Sequence, residues 1–151
     1  MPAGVVHSVE VDAFKNLLRA HASVTRELDR ELVNTFGLTI NDYEVLIYLS
    51  RAPDRMLRRV DLAQMVLLTP SGITRLLDGL QRNGLVEKAS CESDARVVYA
   101  KLTDEGARRL EEASGAHLES IRLIFAERFD REEIETLRVL LERLPTGPSP
   151  C

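Results

Sequence analysis

The chain is short of sulfur, of histidine and of long apolar runs, and each shortage removes a class of function. Its two cysteines, Cys91 and Cys151, stand in 151 residues. That is too sparse for the disulfide framework of a small secreted domain, so both are read as free thiols. Its three histidines form no His-x-x-x-His pair, and no Cys-x-x-Cys, Gly-rich phosphate loop or Gly-x-Ser-x-Gly elbow accompanies them. Neither an enzyme, nor a metal site, nor a cofactor is expected. No stretch approaches the roughly 18 consecutive apolar residues of a membrane span. The start Met1-Pro2-Ala3-Gly4 lacks the basic and apolar runs of a secretory signal. The expected location is the cytoplasm, with no membrane partner. Net positive charge is missing too: the total is −4, which taken alone argues against nucleic acid.

The distribution of charge reverses that argument. Residues 51–101 carry nine basic and six acidic side chains, a local +3, while the remainder of the chain stands at −7. The acidic remainder would repel phosphate and orient the basic block toward it. An ordinary solvated face of the same charge density is the plain alternative.

Inside that block the pattern is specific. Thr69 suits an N-cap and Pro70 the first helical position, where a missing N–H costs nothing. Ile73, Leu76, Leu77 and Leu80 then fall on one stripe, leaving Ser71, Thr74, Arg75, Asp78 and Arg82 outward. Asn83-Gly84 closes the helix. Two extended runs follow, Leu85 to Lys88 and Val97 to Leu102, and the polar segment from Cys91 to Ala95 between them is expected to be a loop. Upstream, a short helix from Arg59 to Val66 turns Val60, Leu62, Ala63 and Val66 inward and joins the Thr69 helix through Leu67-Leu68, a helix-turn-helix. Recognition helix plus β-hairpin wing is the architecture this order predicts.

The flanks are helical. Val11 to Phe36 keeps Phe14, Leu17, Leu18, His21, Val24, Leu28 and Leu32 on one stripe and ends at Gly37. Thr39-Ile40-Asn41-Asp42 fits a capping box that opens a second helix toward Pro53. Thr103-Asp104-Glu105 opens a long helix to about Phe129, with Leu110, His117, Leu118, Ile121, Ile124 and Phe125 apolar. Asp130 caps a last helix whose Ile134, Leu137, Leu141 and Leu144 form a seam. The tail from Pro145 to Cys151 is Pro-rich, aperiodic and expected to be disordered. The whole is one mostly α domain with a small β-hairpin wing: residues 12–37 and 104–144 as dimerisation helices, 38–103 as the winged helix-turn-helix, 145–151 as the tail. Terminal helices in excess of what the winged core needs predict a homodimer. Two recognition helices about 34 Å apart would then meet a palindromic site on double-stranded DNA. A monomer whose end helices pack on each other is the alternative.

Four stretches together resemble the MarR (multiple antibiotic resistance regulator) family of bacteria and archaea. They are Leu38-Thr39 before Tyr43-Glu44-Val45-Leu46, Thr69 to Asp78, Gly84-Leu85-Val86, and Asp94-Ala95-Arg96 followed by Leu102-Thr103-Asp104-Glu105-Gly106. In order and spacing the similarity spans about residues 12–144. It implies a winged-helix homodimer that binds near promoters, usually as a repressor and often released by a small molecule. Carried over residue by residue, Ser71, Thr74 and Arg75 are the expected major-groove readers. Thr69, Pro70 and Gly72 shape the helix N-terminus that approaches DNA. Arg96, oriented by Asp94, is the expected minor-groove contact. An Arg75–Asp78 ion pair, and an Asp94–Arg96 pair that merely pins the wing tip, are the structural alternatives. The same resemblance places an effector, such as an aromatic carboxylate, between the dimer helices and the winged domain, with His21, Tyr43 and His117 as candidates; each also suits a core position. The family's zinc-sensing branch has paired histidines on the fifth helix, where this chain has His117 alone. Its peroxide-sensing branch has a first-helix cysteine, and none precedes Cys91. A winged domain that binds another protein, as an adaptor or antagonist of a regulator, is the remaining rival.

Overall fold

Side-chain caps decide where most of the helices begin. The computed structural model describes residues 8–145; the Met1–Gly4 start and the tail from 146 to Cys151 lie outside the described residues. Within them the helices are α1 (Val9–Phe36), α2 (Ile40–Arg51), α3 (Arg59–Met65), α4 (Pro70–Arg82), α5 (Asp104–Ala126) and α6 (Arg131–Leu141), and the strands are β1 (Met56–Arg58), β2 (Val86–Cys91) and β3 (Asp94–Leu102). Ser8, Thr39, Thr69, Thr103 and Asp130 each accept a hydrogen bond from an N–H of the first turn that has no helical partner. Capping boxes close around Thr39–Asp42 and Asp130–Glu133. Only the second half of α1 buries apolar side chains, at Leu28 and Leu32.

The core sits under the winged segment. Leu32 of α1, Val45, Leu46 and Leu49 of α2, Leu62 of α3 and Ile73 of α4 are almost wholly withdrawn from water, together with Leu38 and Leu85. Each such side chain is worth roughly 1.5–3 kcal/mol of transfer free energy. The sheet has the order β1-β3-β2, antiparallel throughout, so β3 is central. The fold is mostly α with a small β wing, as expected from the sequence.

Two expectations are corrected and two features are added. First, the segment from Cys91 to Ala95 is not a loop: β2 and β3 run on to a Cys91–Asp94 pair, leaving Glu92 and Ser93 as a two-residue turn. The wing projects into solvent, so its ladder is satisfied by main-chain bonds and neither face has to be apolar. Second, β1 joins the wing to make a three-stranded sheet; its three residues are too few to show a period of two. Third, Val60 is 57% exposed rather than inward. It lies about 160° around the helix from Leu62, away from the Leu62–Val66 stripe. Fourth, Leu118 is 60% exposed although the same helix buries Ala113, His117 and Ile124. It flanks the inward stripe rather than joining it. The last two helices also end early, α5 at Ala126 rather than Phe129, and α6 at Leu141, before Leu144.

One junction joins the wing to the long α5. The Thr103 hydroxyl accepts from the Gly106 N–H at 3.0 Å and donates to the Gly84 carbonyl at 2.6 Å. The Thr103 N–H reaches the Leu85 carbonyl at 3.1 Å. Gly106 lies so close that a Cβ there would stand 2.1 Å from the same Leu85 oxygen. No side chain fits without moving α5 off the sheet. At Gly115 of the same helix a Cβ would meet nothing within 4 Å. Gly106→Ala is therefore expected to destabilise the fold by about 3 kcal/mol through overpacking. Gly115→Ala is expected to stabilise it by up to about 1 kcal/mol through helix propensity. Urea unfolding of the two variants checks the opposite signs.

Candidate nucleic-acid interface

The outer face of α4 is prepared by its own first turn. Thr69 Oγ1 accepts from the Gly72 N–H at 3.1 Å and lies 3.3 Å from the Ser71 hydroxyl. A Cβ on Gly72 would press on that capping oxygen at 3.1 Å. Glycine here keeps the cap open, beyond any role in close approach to a partner. The Thr74 hydroxyl donates to the Pro70 carbonyl at 2.9 Å. Its proton is thereby committed, and only its lone pairs remain for a partner. Ser71 and Arg75 are exposed and Thr74 is half-buried.

Arg75 does not form the ion pair with Asp78 that its spacing allows. Asp78 instead faces Lys88 of β2, 3.8 Å away, so the acidic group of α4 is turned to the wing. Among the described residues no carboxylate lies within salt-bridge distance of Arg75. Its guanidinium, with five donors and a fixed charge, is left to solvent. In the wing, Asp94 and Arg96 share a face of β3, two residues apart. Asp94 Oδ1 accepts the Arg96 N–H at 3.0 Å and lies 3.5 Å from its Nε. The Arg96 side chain nonetheless remains 94% exposed. A contact this open contributes little stability, but it holds the arginine extended from the wing.

Between α4 and the wing lies a crevice lined by Thr74, Gln81, Lys88, Tyr99 and the half-buried Arg59. Its volume is about 20 Å³, room for a water molecule rather than an organic ligand. Arg59 was not singled out from the sequence. It lies far from Thr74 and Tyr99 along the chain, and only the fold brings it beside them.

The three expected effector residues separate. Tyr43 of α2 and His117 of α5 are buried with ring centroids 4.6 Å apart, tilted by 59°. His21 is exposed on α1 and makes no ring contact with them. The Tyr43 hydroxyl donates to Ser114 Oγ at 3.0 Å. His117 Nδ1 is buried without a hydrogen-bond partner. Burial holds its pKa below the ordinary histidine value, with the Glu31 carboxylate pulling the other way. Among the described residues no cluster of three or more His, Cys, Asp or Glu is placed to hold a metal ion, and no helix is long and apolar enough to cross a membrane.

A helix-turn-helix followed by an antiparallel wing, with an exposed arginine on each, defines a winged-helix DNA-binding regulator. Comparison with known proteins gives the family. The MarR family model matches residues 36–97. The HTH-type transcriptional repressor YetL of Bacillus subtilis (strain 168) is 34% identical over 111 residues, 72% of this chain and 66% of that one. The uncharacterized regulator YsmB of the same organism is 32% identical over 127 residues, 84% of this chain and 85% of its own. Among solved structures, AbsC of Streptomyces coelicolor superposes with a TM-score of 0.80 at 29% identity, covering 92% of this chain and 93% of that chain. Sco3205 of the same organism, solved in complex with DNA, matches with a TM-score of 0.80 at 27% identity over 97% and 95% of the two chains. The chain belongs to the MarR family of transcriptional regulators, and is a regulator rather than an enzyme.

The lowered His117 pKa fixes the sign of one pH effect. The unfolded chain takes up this proton near pH 6.5 and the folded chain resists it. The unfolded state therefore binds more protons below that value, and stability falls on acidification. Lowering the pH from about 7.5 to about 5.5 is expected to reduce the melting temperature of the wild type more than that of His117→Phe. Thermal scans at both pH values check this.

Proposed function

We propose that the chain is a homodimeric repressor that grips a palindromic operator on double-stranded DNA through two α4 helices and two wings. The observation that carries this reading is Arg75, exposed on the outer face of α4 with no carboxylate of the described residues within salt-bridge distance. An arginine so presented can fork onto guanine O6 and N7. Ser71 and Thr74 flank it, Thr69, Pro70 and Gly72 shape the approach, and Arg96, braced by Asp94, enters the adjacent minor groove. Residues 38–103 form the DNA-reading unit, and the protein works in the cytoplasm, where its target lies.

Residues 12–37 and 104–144 form the dimer. What supports this is the apolar surface that the single chain leaves in water. Phe14 is 59% exposed on α1, Leu118 lies open on α5, and α6 buries no residue, with Val139, Leu140 and Leu141 exposed. Surface of this kind on a terminal helix needs a partner. A small-molecule effector, aromatic or phenolic, lodges beside Tyr43 and His117. Their buried ring pair and the unpartnered Nδ1 support that placement; nothing draws His21 toward it.

Arg75→Ala is expected to lose roughly 1–3 kcal/mol at the preferred site and to relax base selectivity there. Arg96→Ala is expected to weaken binding with less change in sequence preference. Fluorescence anisotropy on the upstream intergenic DNA at several salt concentrations tests both. Wild-type affinity that ignores salt and sequence would sink the reading, since phosphate neutralisation releases counterions. For the assembly, Phe14→Asp with Leu118→Asp is expected to give a monomer by sedimentation and to lower operator affinity at least tenfold, about 1.4 kcal/mol. Release of bound DNA by benzoate, a probe aromatic carboxylate, tests the effector site.

A further inference from the structure

The turn of the helix-turn-helix closes α3 on a leucine where α1 and α4 close on glycine; the other non-glycine residues at positive φ among the described residues, Asp54 and Arg55, carry polar side chains. α4 ends on Gly84, at φ 74°; its N–H donates to the Gln81 carbonyl at 3.0 Å, and the next N–H, of Leu85, reaches Leu80 at 2.9 Å. α3 ends with the same bond pair: the Leu67 N–H to Gln64 at 3.4 Å, and the Leu68 N–H to Ala63 at 2.9 Å. α1 likewise closes on a left-handed glycine, Gly37, at φ 67°. Glycine is favoured at these positions because a Cβ at positive φ crowds the backbone. The third closure places Leu67 there, at φ 56°.

The leucine gains nothing inside the protein for that strain. Its side chain is 87% exposed, the most open large apolar group among the described residues, whereas the residue after it, Leu68, packs against the core. An unfavourable backbone and an unburied apolar side chain at one position mark a group held for an external contact. Leu67 lies two residues before the Thr69 cap, so their Cα atoms are at most about 7 Å apart. It thus stands beside the end of α4 that approaches DNA. An isobutyl group offers phosphate no hydrogen bond, and the apolar feature of the major groove is the thymine C5-methyl.

We propose that Leu67 is a specificity-determining DNA contact that packs on the methyl group of a thymine at the edge of the base pairs read by α4. This rests on α4 being the recognition helix. The test uses the full chain and Leu67→Gly, each selecting sites from a randomised duplex library. Affinities are then measured on the wild-type site and on the same site with thymine replaced by deoxyuridine, and both proteins are melted. Wild-type sites are expected to carry a thymine in each half-site that Leu67→Gly sites lack. Deoxyuridine is expected to weaken the wild type about fourfold per half-site, the worth of one buried methyl, and to leave Leu67→Gly unchanged. The variant should melt no lower than the wild type. Equal sensitivity of both proteins to deoxyuridine, or a uniform loss of affinity on all sequences, overturns the thymine contact. A lowered melting temperature for Leu67→Gly overturns it too, because the leucine would then be structural. If the wild type selects no sequence at all, α4 is not a recognition helix and Leu67 falls with it; the wild-type selection alone separates that case.

Discussion

Three elements meet at the hydroxyl of Thr103, and the geometry of the winged segment depends on them staying together. It caps α5 through the Gly106 N–H and at the same time ties down the Gly84 carbonyl that ends α4. The Leu85 carbonyl beside it takes the Thr103 N–H, so the end of α4, the base of the wing and the start of α5 share one small polar node. Glycine at 106 lets the helix approach that node at backbone distance. Around it the packing is apolar, with Leu85, just before β2, and Leu102, at the end of β3, both buried. A shift of α5 cannot leave α4 behind without breaking the hydrogen bonds of this node.

The charge arrangement follows a related logic. A chain of net charge −4 ties many of its acidic groups into local pairs. Asp61 is taken up by Arg58 and Asp104 by Arg55. Glu105 and Glu112 are both matched to Arg108, and Glu119 to Arg122. These exposed pairs add little stability, and none of them involves an arginine of α4. The pair that bears on α4 is Asp78–Lys88, which takes up the one acid at helical spacing from Arg75 and links α4 to the wing.

Much of this was legible in the sequence because it is written in local chemistry. Caps at Thr39, Thr69, Thr103 and Asp130, and the left-handed closures at Gly37 and Gly84, each depend on a few neighbouring residues, and they set helix boundaries to within a few positions. What was not legible depends on contacts distant in sequence. β1 is a strand only because β3 lies beside it, and Arg59 lines one crevice with Thr74 and Tyr99 only in the folded chain. The polar wing tip defeated a rule of hydrophobic alternation that holds for half-buried strands and not for a ribbon standing in water. Val60 and Leu118 show the limit of periodicity from the other side. An apolar residue near a stripe need not belong to it. At the candidate site, the spacing of Arg75 and Asp78 allowed two arrangements, and a lysine ten residues further along the chain decided between them.

The long helices raise a coupling that no single contact expresses. In the proposed dimer α6 and the open halves of α1 and α5 would bury their apolar surface only against the partner, so their stability and the assembly would be one equilibrium. The Arg109 guanidinium, reaching from α5 to the Phe36 carbonyl at the end of α1 at 2.8 Å, binds these two helices to each other. The node at Thr103 binds α5 to α4. The separation of two recognition helices would then be set by the angle at which the terminal helices cross, transmitted through α5 as a rigid bar. Tyr43 and His117 lie where α2 meets that bar. A molecule wedged at their ring contact would not need to touch DNA to act. By tilting α2 against α5 it would change the spacing of both reading heads, and a duplex with half-sites one helical turn apart tolerates little change in that distance.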